Sequence, residues 1–359
     1  NFSEMGININ TTELNKILES TPSRHNIMLV GRHGIGKSEI LSSFFNEKDM
    51  KVVTLFLGQM SDPGDLIGLP HKDETTGKTE FMPPYWFPID GKPIVLFLDE
   101  LNRARPEVLP TVMDLVLNRK LAGKALPEGS RIISAVNEGE EYQLTDLDPA
   151  LVSRFNIYNF RPTPQEWLLW AEKNEIDKRI VNFINDHQNC LDSDGVNQID
   201  RGLEKTPDRR AWARVSDIIK DVHTLTILHQ KLVAGIIGAS VAAQFFKEFK
   251  SSNVPKAAEI LLDYENHRKR VEKLEIDKIA ILNDDIMRYL ETHSPFGKDE
   301  AAVKYNLVEY INYLNDDNKE GLAHLVSCVE GGSYPQAIVF LVTKMPEVYK
   351  TFTNFIHSV

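Results

Sequence analysis

The sequence predicts an α/β fold in which a parallel sheet of five strands is followed by a purely helical region. Three observations carry this. IMLVGRHGIGKSEI (27–40) is an apolar run that stops at a glycine-rich turn, after which Ile40, Leu41, Phe44 and Phe45 recur at helical spacing. PIVLFLDE (93–100) contains five consecutive apolar residues, which cannot alternate between core and water, so this strand is covered on both faces as in the centre of a parallel sheet. After Arg161 the composition turns helical and capping patterns take over.

Taken in order, a helix capped by Thr12, with Leu14, Ile17 and Leu18 inward, precedes the first strand at 27–30. The other strands are expected at 52–57, 94–98, 131–136 and 156–160. The second leads through Gly58 and Gln59 into SDPGDLIGLP (61–70), a Gly/Pro-rich segment long enough to be an inserted functional loop. FMPPYWFP (81–88) sets four aromatics among three prolines and is expected to pack against a core or a neighbouring copy rather than grip a substrate. Residues 120–130, with Gly123 and Gly129, read as an inserted hairpin and a second pore-loop candidate.

Thr163-Pro164-Gln165-Glu166 forms a capping box with proline at the first helical position. A second domain is expected over 163–250, with the polar stretch 189–207 as a surface loop, and an α-helical extension over 251–359, where Ile279, Leu282, Ile286 and Leu290 mark an amphipathic helix. The first domain spans 1–162. ENHRKRVEKLEIDK (265–278) reads as a solvated helical face.

With 359 residues and 42% hydrophobic content, the chain can build several cores. Its 52 acidic and 41 basic residues give a net charge of −11, which argues against a surface built to neutralise nucleic acid. Cys190 and Cys328, read as lacking metal-ligand spacing or a nearby histidine cluster, are expected to be reduced thiols of a cytoplasmic protein. The most apolar stretch (232–246) is too short for a membrane span.

The chemistry is concentrated at three strand ends. Gly31, Gly36, Lys37 and Ser38 fit G-x-x-x-x-G-K-[ST] between a strand and a helix, where backbone N–H groups and the helix N-terminus make a concave anion site. The binding loop is Gly31, Arg32, His33, Gly34, Ile35, Gly36, Lys37, Ser38 and Glu39. Lys37 would bridge β- and γ-phosphates, and Ser38 would offer its hydroxyl to Mg²⁺. Asp99 is the expected partner of that ion, Glu100 the group that orients attacking water, and Asn137, closing the next strand, a neutral amide for water and γ-phosphate.

The ordered set GRHGIGKS, IVLFLDELNRA, ISAVNEG and LDPALVSRF resembles the MoxR group of AAA+ ATPases, close to the dynein-related subfamily, over at least residues 10–245. That resemblance implies a Mg²⁺-dependent, ATP-hydrolysing homo-oligomer, a hexameric ring, that remodels a client protein, with von Willebrand factor A-type proteins as partners. It gives Lys37, Ser38, Asp99, Glu100 and Asn137 the Walker A, Walker B and sensor-1 roles and makes 163–250 the helical lid. Arg154 takes the arginine-finger position. The family's Ser-Pro-Arg-like helix start is replaced here by TPDRRAWARVSDII, and counting back from Trp212 assigns sensor 2 to Arg210, with Arg209 the alternative. Two other readings stay open: a nucleic-acid-associated motor or GTP-driven restriction subunit, which the acidic balance disfavours, and a nucleotide-gated scaffold with little turnover, for which a water-orienting carboxylate has no use.

Overall fold

A computed structural model of the chain describes residues 6–138, 147–192, 205–249 and 254–358. They form two compact units, Asn1–Thr163 and Pro164–Val359.

In the first unit, strands β1 (Asn8–Ile9), β2 (Asn26–Gly31), β3 (Lys51–Phe56), β6 (Ile94–Asp99), β9 (Arg131–Asn137) and β10 (Phe155–Phe160) make one sheet in the order β1-β10-β2-β9-β6-β3, every neighbouring pair parallel. The sheet thus has six strands among the described residues, not five. The extra one is two residues long and has no apolar period to betray it; its register with Asn159 and Phe160 defines it.

Side chains alternate across a strand, and the apolar residues divide accordingly. Ile27, Leu29, Val95, Phe97, Ile133 and Ala135 join the core of helices α1 (Thr11–Ser20) and α2 (Lys37–Glu47). Met28, Val30, Leu96, Leu98, Ile132 and Val136 join that of helix α3 (Leu109–Asn118) on the other face. The central strands are therefore buried on both sides, which explains their unbroken apolar runs. Helix α1 is capped by Asn10 rather than Thr12: the Asn10 side chain accepts the Glu13 N–H, while Glu13 accepts the Asn10 N–H at 3.1 Å.

SDPGDLIGLP and FMPPYWFP are parts of one device. Strand β4 (Leu69–Lys72) pairs antiparallel with β5 (Thr79–Met82), and Trp86 beyond it is 3% exposed in the core while Tyr85 is 94% exposed. The expected hairpin at 120–130 is present as β7 (Lys120–Leu121) and β8 (Lys124–Ala125).

The second unit is helical. Helices α4 (Pro164–Lys173), α5 (Lys178–Asp186), α6 (Arg209–Ile219), α7 (Ile227–Ile237) and α8 (Ala239–Phe249) surround an aromatic cluster in which Phe183, Trp212 and Phe245 lie within 6 Å of one another. Gly238 breaks the apolar stretch between α7 and α8 at φ 93°, and a Cβ there would sit 2.2 Å from the Lys205 carbonyl oxygen. Cys190 and Leu191, placed by the sequence in a surface loop, are buried; residues 193–204 lie outside the described residues.

A second apolar cluster is shared by α9 (Ala257–Leu262), α10 (Tyr264–Glu272), α11 (Ile276–His293), α12 (Glu300–Asp317), α13 (Lys319–Glu330), α14 (Pro335–Lys344) and α15 (Pro346–Ser358). Among the described residues no single helix is long and apolar enough to cross a membrane.

Candidate nucleotide-binding site

The site is set by where strands stop. Gly31 is level with Asn137, whereas Leu98 is level with Ser134 and hence with Met28. Strand β6 therefore ends, at Asp99, two residues short of β9 and β2, a step of about 7 Å at ~3.3 Å per residue, and its other neighbour β3 ends level with it at Phe56. Ligands collect at the carboxyl edge of such sheets, and this step leaves a notch beside β9.

The loop above the notch is glycine where geometry leaves no choice. A Cβ on Gly31 would meet Ile35 Cδ1 at 2.7 Å, and Gly34 and Gly36 have φ of 82° and 92°, in the left-handed region. Gly36 caps helix α2 with no side chain, so nothing from the cap itself covers the first-turn N–H groups, which aim along the helix axis at the loop. Arg32, His33 and Glu39 are exposed, while Ile35 turns its side chain into the core, leaving only its backbone for a ligand.

Lys37 is 6% exposed, and its ammonium donates to the carbonyls of Gly31 and Arg32 at 3.0 Å and to Asn137 Oδ1 at 3.1 Å. Two polar side chains a hundred residues apart are thus brought together at the ends of adjacent strands. Asn137 and Asp99 continue, in steps of two, the rows Ile133–Ala135 and Val95–Phe97, which places both on the α2 face of the sheet. Ser38, partly buried, is on the first turn of that helix. A hydroxyl and a carboxylate on one face are the hard oxygen donors that suit Mg²⁺.

Glu100 adopts φ 57°, ψ 42°, a conformation that costs a non-glycine residue about 1–3 kcal/mol and that clusters at functional sites. The turn swings its carboxylate away from the strand's row, against the backbone of Gly58 at the end of β3, where an added Cβ would lie 2.5 Å from Oε2. Arg103 pairs with it at 3.4 Å. Sequence reading missed Gly58 and Arg103 as neighbours of Glu100. The available signal was the glycine directly after a strand that pairs with β6.

Arg154 stands apart. It is exposed, follows the short helical turn Pro149–Val152, and precedes Phe155, which pairs with Asn26 at the amino end of β2. That is five residues, roughly 16 Å along the strand, from the level of its own glycine loop. In the second unit, Arg209 is buried and its Nε donates to Asp192 at 3.2 Å, while Asp208 caps α6 through the Ala211 N–H at 2.7 Å. Arg209 is thus paired with Asp192, seventeen residues upstream. Arg210 is exposed.

Fold and site together define a P-loop nucleotide-hydrolysing domain. Residues 26–155 match the AAA domain family, dynein-related subfamily, so this stretch of the chain is an AAA-type ATPase domain. Among curated proteins it is similar to "Putative chaperone BssE" of Thauera aromatica, 26% identical over 162 residues, covering 42% of this chain and 56% of that one, so that it spans little over half of that relative's length. Solved structures with a similar chain path include RuvB of Thermotoga maritima (14% identity, 74% of this chain and 76% of that one, TM-score 0.34). NtrX of Brucella abortus is another (13%, 88% and 66%, TM-score 0.37). Superpositions that low add nothing to the assignment.

Proposed function

We propose that this chain is a MoxR-type member of the AAA+ ATPases that works as a homo-oligomeric, six-membered ring in the cytoplasm and spends Mg²⁺-dependent ATP hydrolysis on remodelling a client protein, one with a von Willebrand factor A-type domain. The carrying observation is the meeting of the Lys37 ammonium with the Asn137 amide beside the notch where β6 ends in Asp99 and Glu100. In this reading Lys37 exchanges loop carbonyls for phosphate oxygens, which are stronger, charged acceptors. Ser38 and Asp99 hold Mg²⁺, and Arg32, Gly34, Gly36 and their neighbours offer backbone N–H groups. When bound, Mg²⁺ neutralises charge on the phosphate oxygens. Glu100, held off its strand by the left-handed turn, orients the attacking water, and Asn137 positions water against γ-phosphate without adding negative charge.

The distance of Arg154 from its own glycine loop supports action in trans, where a guanidinium supplied to a neighbour's nucleotide is worth about 10³–10⁵ in rate, roughly 4–7 kcal/mol. Arg210 is assigned sensor 2, since Arg209 is engaged with Asp192. The test is a mixing experiment: Arg154→Ala and Glu100→Gln are each inactive alone, and an equimolar mixture regains turnover, because interfaces form that combine one subunit's Glu100 with the other's Arg154. No recovery on mixing would exclude shared sites. Client capture by the nucleotide-locked Glu100→Gln ring, compared with wild type, identifies the partner.

A further inference from the structure

Away from the nucleotide site, three ligand-type side chains converge in the helical unit. His324 and Cys328 are four residues apart on α13 and so share one helix face; Asp284 reaches them from α11. Their ligand atoms lie within 4.8 Å of one another, with Cys328 Sγ 3.4 Å from Asp284 Oδ1 and 3.8 Å from His324 Nδ1. A tetrahedral ion with bonds of about 2.3 Å to sulfur and about 2.0–2.1 Å to nitrogen and oxygen separates such ligands by roughly 3.5 Å. All three are only partly buried, so an ion has a way in.

The surroundings fix the ligands in the required states. Asn283 Nδ2 donates to the Gly321 carbonyl at 3.0 Å, and a carbonyl can only accept, so the amide's orientation is settled. The same nitrogen lies 3.2 Å from His324 Nδ1, which must then be the unprotonated ring nitrogen, its lone pair held by the amide N–H until an ion displaces that bond. Likewise Arg288, which can only donate, bonds Asn185 Oδ1 at 3.2 Å and so turns Asn185 Nδ2 toward Asp284 Oδ2 at 2.8 Å. The second carboxylate oxygen is left facing the thiol. A ligating carboxylate is commonly hydrogen-bonded through its other oxygen, as Asp284 is by Asn185. The cysteine that the sequence left without metal-ligand spacing therefore does have it, in His324-x-x-x-Cys328, completed by an aspartate forty residues upstream.

We propose that Asp284, His324 and Cys328 form a site for a borderline-soft divalent transition-metal ion, zinc foremost, that ties α11 to α13. Thiolate, imidazole and carboxylate together favour zinc over the Mg²⁺ of the nucleotide site. On binding, the Cys328 thiol proton leaves to solvent, the Asn283 N–H gives up the His324 Nδ1 lone pair, and the ion is held by sulfur, Nδ1 and a carboxylate oxygen, with water in the fourth position.

The test uses the whole chain, treated with chelator and free of nucleotide, titrated with cobalt(II). A thiolate-to-cobalt charge-transfer band reports this site alone, because the Ser38 and Asp99 site has no sulfur. The band is expected at one equivalent in wild type and Cys190→Ser, lost in Cys328→Ser and His324→Ala, abolished by added zinc, and shifted to about 10- to 100-fold higher metal concentration in Asn185→Ala. Wild-type protein that shows no band well above micromolar cobalt overturns the proposal, as does a band that survives Cys328→Ser.

Discussion

At the amino ends of the strands, polar side chains are consumed in cross-ties. The Arg119 guanidinium donates to the carbonyl oxygens of Ser130 and Ser23 and to Asn26 Oδ1, Asn26 donates to Val116, and Ser130 Oγ accepts the Ile94 N–H. Burial, and secondarily Arg131, push the Arg119 guanidinium's pKa down without removing its charge. At the carboxyl ends of the same strands, Lys37, Asn137, Asp99 and Glu100 instead surround a notch. Backbone strain does not separate the two ends, since Arg119 and Glu100 have φ of 53° and 57°. What separates them is the partner. Arg119, as a helix C-cap, faces acceptors that no ligand will displace; Glu100 faces the Cβ-less Gly58 and the half-exposed guanidinium of Arg103.

Arg154, at the amino end yet exposed, is the sharpest challenge to that contrast. Arg154→Ala is expected to lower turnover by about 10³–10⁵-fold with an unchanged melting temperature, measured by phosphate release at saturating protein and by calorimetry. A small loss would return it to the structural end. Next, Glu100→Gln should cost about 10²–10⁴-fold in kcat, the usual worth of a positioned base, with nucleotide affinity retained in equilibrium titration; near-normal phosphate release removes its assigned role.

Gly58→Ala drives a methyl group against Glu100 Oε2 and should cost about 10²-fold in turnover, the scale of a misplacement near 1 Å, again with affinity intact. The smallest catalytic effect belongs to Arg119→Ala. It strands buried acceptors and should destabilise the first unit by about 3 kcal/mol, roughly 6–12 °C in its melting, while turnover per folded molecule stays within a factor of two or so. If Arg119→Ala abolished activity below its melting range, the division between the two ends would fail.

The legible parts of this molecule are those whose physics is local. The glycine loop shows itself because left-handed turns and close backbone approach admit only glycine, and β6 because a strand covered on both faces must be apolar throughout. The Asp208 cap is local in the same way: its side chain accepts a backbone N–H three residues on. Asn10 lost out to Thr12 only because three polar residues in succession, Asn10, Thr11 and Thr12, offer the same local chemistry.

Other features are pairings between distant segments, on which local pattern is silent. The two-residue strand β1 exists through its partner β10, Arg209 is neutralised by Asp192 across residues 193–204, and Glu100 owes its placement to Gly58 in the turn that follows β3. The cluster of Asp284, His324 and Cys328 needed two helices to pack before its spacing meant anything. By itself, then, the sequence determined which residues could hold phosphate and which runs must be buried, because hydrogen-bonding capacity and apolar period belong to each short segment. Only the tertiary structure decided which of those residues meet, because strand register and helix packing are settled by the collective burial of whole faces.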